Sequence, residues 1–322
     1  MYFNLTKLLL VNVMMIGVIM TICSNNWMSM WIGMEISLIS FIPLIQNKNS
    51  LSSESMIKYF IIQSSSSTLF LFSIVYMLIG VNLFNKSLLL VSILIKIGSS
   101  PFHNWVIMVV EFMDFMSMIY LFTVLKMPPL YILYLVNSKF MLFPMIMSFL
   151  TSILCINQSS TPKILGYSSI FNMGSLMTTI NNLKIMIVYI MIYSIMLTSI
   201  LILLMNLKIK FINQMIFSEF NSWIKMNVWI SMLSLSGFPP LLGFINKMLI
   251  LQNLAKFNLM NLMFILLLTS MLINLFYIRM TFSSMFKLFL FKKWTYPYSS
   301  KMISVMLFIN LFSPTMMLVI IM

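Results

Sequence analysis

Four charged residues stand where charge is hardest to keep. Glu35 lies between Met34 and Ile36, and Lys96, Lys126 and Lys247 each fall well inside a long apolar run. An acid or a lysine at the centre of a membrane helix costs about 2.5–3.5 kcal/mol on insertion scales. Four of them left unpaired would cost on the order of 10 kcal/mol, comparable to the whole stability of a folded protein. They must therefore be paired, hydrated or neutralised within the fold. Burial weakens a lysine's hold on its proton, and a nearby carboxylate strengthens it. A buried lysine with an adjustable carboxylate neighbour can thus take up and release a proton, which is the chemistry of a relay. The plainer alternative is a lysine whose alkyl shaft carries its ammonium to the interface, and it applies best to Lys126.

Two of the apolar runs are also interrupted. One reads Lys96-Ile97-Gly98-Ser99-Ser100-Pro101-Phe102-His103, and the other Ser236-Gly237-Phe238-Pro239-Pro240-Leu241-Leu242-Gly243, with Lys247 just beyond. Proline removes a backbone donor and clashes with the preceding turn, while glycine permits the bend. Backbone groups freed in this way are tolerated at membrane depth only against protein or water. Paired broken helices in two halves of a transporter mark an inverted repeat with an ion path. The alternative is a simple proline kink in each run. A third disruption follows Lys126, in Met127-Pro128-Pro129.

His103, the only histidine, is a candidate relay two residues past Pro101, or else an ordinary hydrogen-bonded core residue. The hydroxyl tract Ser64–Thr68 suits close helix packing, with the lining of a hydrated path as the sharper alternative. Cys23 and Cys155 have no metal-like spacing and read as apolar filler. The sequence has no Gly-rich phosphate loop, dinucleotide fingerprint or His/Cys metal spacing, so no cofactor and no metal are expected in this chain.

The elements that must position these residues follow from composition. The chain is 61% hydrophobic and 7% charged, against about 25% charged in soluble domains. So little polar surface cannot cover a soluble core of 322 residues, and disorder needs low hydrophobicity. Continuous apolar runs also exclude a barrel. A crossing helix needs about 20 apolar residues. Eleven stretches qualify: 5–22, 27–46, 56–80, 86–109, 115–136, 140–157, 162–180, 184–206, 224–255, 258–280 and 302–322. The breaks fall in the fourth and ninth, an offset that reverses orientation as an inverted repeat requires. The expected fold is an all-α polytopic membrane protein.

The formal charge of +14 suggests nucleic acid only weakly, because no basic run interleaves with aromatics on a polar face. Basic residues concentrate on the inner side of membrane proteins. With the N-terminus inside, twelve bases flank the inner side: Lys7, Lys48, Lys58, Lys163, Lys208, Lys210, Lys225, Arg279, Lys287, Lys292, Lys293 and Lys301. Four flank the outer side: Lys86, Lys139, Lys184 and Lys256. The N-terminus is therefore expected inside and the C-terminus outside. The other acids, Glu54, Glu111, Asp114 and Glu219, fall at stretch ends or in inner loops. The first stretch imitates a signal peptide, but ten more follow it and it lacks a small-residue cleavage site. Thirty-seven methionines against one alanine and one arginine suggest an AT-rich organelle genome.

Four segments carry a family resemblance. They are Trp31-Ile32-Gly33-Met34-Glu35 through Phe41-Ile42-Pro43-Leu44; Glu54 through Lys58-Tyr59-Phe60 to Gln63; Lys96-Ile97-Gly98 through Pro101-Phe102-His103 to Trp105; and Leu235-Ser236-Gly237-Phe238-Pro239-Pro240 to Gly243-Phe244 and Lys247. Lys163-Ile164-Leu165 with Tyr167-Ser168-Ser169-Ile170 adds a weaker fifth. In order and spacing the chain resembles, over essentially its whole length, the antiporter-like subunits of respiratory complex I. The resemblance is to the second-subunit family of invertebrate mitochondria.

The resemblance implies a proton pathway whose central hydrophilic axis falls on Glu35, Lys96, Lys126 and Lys247. It implies two five-helix inverted repeats with broken helices, at 1–136 and 137–280, then a matrix loop and final helix at 281–322. Gly98, Pro101, Gly237, Pro239 and Pro240 would form the breaks. The implied location is the mitochondrial inner membrane, with a matrix N-terminus and the C-terminus in the intermembrane space. The implied partners are the other membrane-arm and accessory subunits and the lipid bilayer, with NADH, FMN, iron–sulfur clusters and ubiquinone bound by other subunits. The sequence departs from the family at Ile107, where proline is frequent, at Phe112, where glycine is frequent, and at Ser236-Gly237 in place of a Gly-Gly pair. A stand-alone cation/proton antiporter and a non-pumping structural spacer remain the competing readings.

Overall fold

The structure, a computed structural model, describes residues 5–46, 50–80, 82–136, 142–217, 222–285 and 310. Lys48, Lys139, Glu219, Lys287, Lys292, Lys293, Lys301 and the expected final stretch 302–322 lie outside them, apart from Asn310. Every regular element among the described residues is a helix, with no strand beyond a single bridge between Ser160 and Phe211. Helices satisfy their own backbone groups, as an apolar environment demands. Six described segments are long and apolar enough to cross a membrane: Leu5–Cys23, Trp27–Ile45, Ser50–Ile79, Phe115–Val136, Leu183–Leu207 and Met260–Phe282. The described part of the chain is thus of all-helical, polytopic membrane type. It divides into two units, Met1–Met147 and Ser148–Met322.

In the first unit, α1 (Leu5–Cys23) and α2 (Trp27–Ile45) form a hairpin across Ser24-Asn25-Asn26. Helix α1 turns much of its apolar surface outward, with Leu5, Ile16 and Ile19 exposed, as lipid or a neighbouring subunit permits. Helix α3 (Ser50–Ile79) packs on α2 and on α4 (Asn82–Ile97). The chain then breaks and resumes as α5 (Asn104–Val110) and α6 (Phe115–Phe122). A 3-10 turn at Val124–Lys126 leads into α7 (Met127–Val136), which packs on α4. Helix α8 (Leu142–Cys155) runs across the boundary between the units.

The hydroxyl tract of α3 is answered within its own helix. Ser64, Ser65, Ser66, Ser67 and Thr68 each donate to the carbonyl three residues earlier, at 2.7–3.0 Å. Ser66 and Ser67 are buried, and none of the five lines the cavity of this unit. This favours packing over a hydrated path.

In the second unit, α9 (Thr161–Met177) is buried along almost its whole length. Around it in sequence stand α10 (Leu183–Leu207), the short α11 (Ile212–Phe217), α12 (Ser222–Ser236), α13 (Leu242–Lys256) and α14 (Met260–Met285). Helix α10 contacts α12 and α13, and α14 contacts α12 and α13. Two ends can be told apart. At one, the Thr161 amide donates to the Lys210 carbonyl (2.9 Å) and the Ile212 amide to the Ser159 carbonyl (3.1 Å). At the same end Arg279 Nη1 donates to the Ile156 carbonyl (2.8 Å), which closes the last turn of α8. At the other end Asn182, the N-cap position of α10, donates to Asn253 near the end of α13 (2.6 Å).

Candidate functional site

The first break begins where α4 ends. Gly98 has φ +69°, and its amide and that of Ser99 both donate to the Leu94 carbonyl, at 3.0 and 3.2 Å. This positive-φ closure of a helix end is one that glycine allows at no steric cost. A methyl group at Gly98 would also overlap Val106 Cγ2 and come within 3.0 Å of the Trp105 ring. The Ile95 carbonyl, which also accepts from the Gly98 amide (3.1 Å), takes Trp105 Nε1 (3.0 Å), and the Lys96 carbonyl accepts from Gln63 Nε2 (3.3 Å). Pro101 and Phe102 form the exposed corner, and α5 follows.

Lys96 therefore sits on a helix end held from three sides. Its ammonium lies 3.8 Å from Glu35 Oε1 on α2, with side-chain exposures of 5% and 23%. The two residues the sequence placed in separate apolar stretches are an ion pair. Lys126 is buried on the 3-10 turn that interrupts the α6–α7 stretch, 5.2 Å from the centre of the Phe122 ring. That geometry gives the cation a π face in place of water. Lys96 and Lys126 line one cavity of about 30 Å³, together with Ser37, Tyr59, Gln63 and Trp105. A volume of this size admits one or two waters. Tyr59 is buried, its ring stacked edge-on to Phe41 and tilted against Trp105.

His103 is placed differently. It is the N-cap residue of α5, half-buried, with Nδ1 3.0 Å from the Pro101 carbonyl, and it does not line the Lys96–Lys126 cavity.

The second break repeats the backbone device with other side chains. Gly237 has φ +74°; its amide donates to Ser234 O (3.1 Å) and the Phe238 amide to Leu233 O (3.2 Å). A glycine stands at the position that needs positive φ, so Ser236 is tolerated before it. Pro239 and Pro240 lie on the exposed corner. The shaft of Lys247, one helix on, lies across Gly237, and a methyl there would meet Lys247 Cε at 2.5 Å. The freed Ser236 carbonyl is closed by Asn274 of α14. Oriented by its partners, the Asn274 amide nitrogen donates to Ser236 O (2.7 Å) and Ser270 O (3.2 Å). The reverse orientation would accept a 3.4 Å bond from Lys247 Nζ, but it would set the amide oxygen against two carbonyls.

Lys247 lines a cavity of about 20 Å³ with Asn172, Ser175, Tyr189, Ser236 and Asn246 among its walls. The Tyr189 hydroxyl donates to Asn172 Oδ1 (2.8 Å) and pairs with Ser175 Oγ (3.1 Å). Among the residues described around this lysine no carboxylate lines the cavity. No group of three or more His, Cys, Asp or Glu suited to a metal occurs among the described residues.

Comparison with known proteins places the chain. The family described as "NADH:quinone oxidoreductase/Mrp antiporter, TM" matches residues 24–82 and 79–273. The NADH-ubiquinone oxidoreductase chain 2 of Anopheles gambiae is 34% identical over 312 residues, covering 92% of each chain. A chain of the respiratory complex I from Thermus thermophilus, solved with bound aureothin, superposes with a TM-score of 0.84 at 18% identity. That alignment covers 98% of this chain and 78% of that one. A chain of the Mrp complex from Dietzia superposes at 0.76 with 14% identity, over 91% of this chain and 62% of that one. The chain belongs to the NADH:quinone oxidoreductase/Mrp antiporter membrane family, and within it to the NADH-ubiquinone oxidoreductase chain 2 group.

Proposed function

We propose that this chain is a core membrane-arm subunit of respiratory complex I in the mitochondrial inner membrane and contributes a proton-translocation pathway. NADH oxidation and ubiquinone reduction, with their FMN and iron–sulfur clusters, belong to other subunits, which are its partners. The observation that carries this reading is the Lys96–Glu35 pair beside a broken helix, its lysine buried and sharing a cavity with Lys126. A change in the charge of Glu35 alters how firmly Lys96 holds its proton. The proton then has a neighbouring station in Lys126, with Tyr59 and Gln63 as polar walls. His103, at the corner of the break and outside this cavity, is a candidate for a further relay. Lys247 is the station of the second unit.

The eleven-helix arrangement belongs to this reading. Residues 1–136 and 137–280 are the two five-helix inverted repeats, and 281–322 supplies a matrix loop and the last helix. The N-terminus lies in the matrix and the C-terminus in the intermembrane space. Support comes from the matching breaks at Gly98 and Gly237, and from the charges at the two ends of the second unit. Lys210 and Arg279 mark one end, Lys184 and Lys256 the other. These are the ends to which the twelve-to-four bias assigns them.

The decisive experiment replaces Lys96 by methionine in the assembled complex. The proton-to-electron ratio should fall while the complex still assembles. A full ratio in that variant would refute the reading. The likeness to an Mrp chain keeps a stand-alone cation/proton antiporter as the second reading, and the mass and NADH-oxidising activity of the native assembly separate the two.

A further inference from the structure

Helix α13 carries two asparagines on one buried face, a helix-disfavouring choice in a chain of membrane type. Asn246 lines the Lys247 cavity, and its Nδ2 reaches the Tyr189 carbonyl at 3.5 Å. Its Oδ1 is buried without a hydrogen-bond partner. Asn253, fully buried, stands seven residues on, about 10 Å along the helix. It accepts from Asn182 at 2.6 Å, and its own Nδ2 is buried without a partner. Asn182 is half-buried at the start of α10, next to the exposed Asn181. Between the two asparagines on the same face lies Ile250, buried and lining the cavity.

Buried amides are normally satisfied, because desolvating one without a partner is costly. Here two orphan amide atoms, one acceptor and one donor, mark a line from the lysine cavity to a loop. An amide does not ionise in this range, so it cannot itself be the carrier. It can hold water on both sides, since it offers an acceptor and two donors. A narrow apolar ring in such a line gates by excluding water.

We propose that the Asn246–Asn253–Asn182 line is the outlet by which protons leave Lys247, with Ile250 as its constriction. This rests on the proton-pathway reading above. The outlet opens at the loop between α9 and α10, the end that carries Lys184 and Lys256. In the step itself a water accepts the proton: one N–H bond of the Lys247 ammonium breaks and one O–H bond forms. A neutral amine and a hydronium result, and the hydronium hands its proton along water to the surface. The asparagines are positioning residues that hold this water.

The test measures protons moved per NADH oxidised in assembled complexes carrying Asn253→Leu, Asn253→Ser, Lys247→Met, or Asn253→Leu with Lys247→Met. The outlet predicts that Asn253→Leu lowers the ratio as far as Lys247→Met, that the double variant falls no further, and that Asn253→Ser keeps most of it. Where Asn253→Leu does not assemble, Asn246→Leu carries the same expectation. A wild-type ratio for the leucine variants beside a lowered one for Lys247→Met overturns the outlet alone. A wild-type ratio for Lys247→Met overturns the reading on which it rests.

Discussion

The two breaks share a backbone and differ in chemistry. Each ends a helix with a buried glycine in the left-handed region, at Gly98 and Gly237, and turns an exposed proline corner. In the first, the lysine precedes the glycine and faces a carboxylate at 3.8 Å. In the second, the lysine follows on the next helix, lies across the glycine and has amide and hydroxyl neighbours. Two unit charges about 4 Å apart at an effective dielectric of about 20 interact by about 4 kcal/mol. A site of the first kind can be driven by changing its partner's charge. A site of the second kind responds to hydration and to the position of its own shaft. One backbone device thus holds a lysine against a carboxylate in one unit and a lysine among neutral groups in the other; in the proposed pathway the first is a driven station and the second a relay.

Glycine substitutions break this comparison most sharply. Gly98→Ala forces a strained φ and an overlap with branched Val106 and the Trp105 ring, neither of which can yield. Strain and overpacking together amount to roughly 2–5 kcal/mol, so assembled complex on a native gel should drop severely. At Gly237→Ala the nearest atoms all belong to the flexible end of Lys247. The backbone strain, about 1–2 kcal/mol, should leave assembly largely intact. The displaced lysine should lower the proton-to-electron ratio. If the two alanine variants assemble equally well, the contrast between a rigid and a yielding neighbour is lost.

Smaller effects sharpen the account. Gln63→Leu removes the donor that closes the Lys96 carbonyl, a loss of about 1–3 kcal/mol. Thermal stability of the complex should fall, and proton transfer with it, since the Lys96 turn loosens. Ser65→Ala should change stability by under about 0.5 kcal/mol, because that hydroxyl is exposed and bonded to its own helix. A marked loss of pumping in the Ser65 variant would instead revive the hydrated path along α3.

The four charged residues were legible because charge in an apolar stretch is expensive, so Glu35, Lys96, Lys126 and Lys247 stood out against their neighbours. Gly98 and Gly237 were legible beside their prolines. What the pattern did not reveal was which neutral group closes which freed carbonyl. Gln63, Trp105 and Asn274 lie 33, 10 and 38 positions from the carbonyls they serve, and ordinary polar residues carry no sign of such a task. The Met127-Pro128-Pro129 disruption made the turn at Lys126 legible, whereas the short α11 was not, since its composition suits a loop as well as a helix. His103 drew attention as the only histidine, but its ring faces the Pro101 carbonyl at the corner. Sequence proximity to Lys96 did not bring it to the cavity. The paired asparagines of α13 carry no such signal in the sequence, because an amide is less conspicuous than a charge.

The central claim is that Glu35 drives Lys96. A double-mutant cycle tests it most directly, with Glu35→Gln, Lys96→Met and the pair compared for protons moved per NADH oxidised in assembled complexes. The account predicts that each single change lowers the ratio and that the pair lowers it no further. Additive losses, or a wild-type ratio in Glu35→Gln, would contradict it.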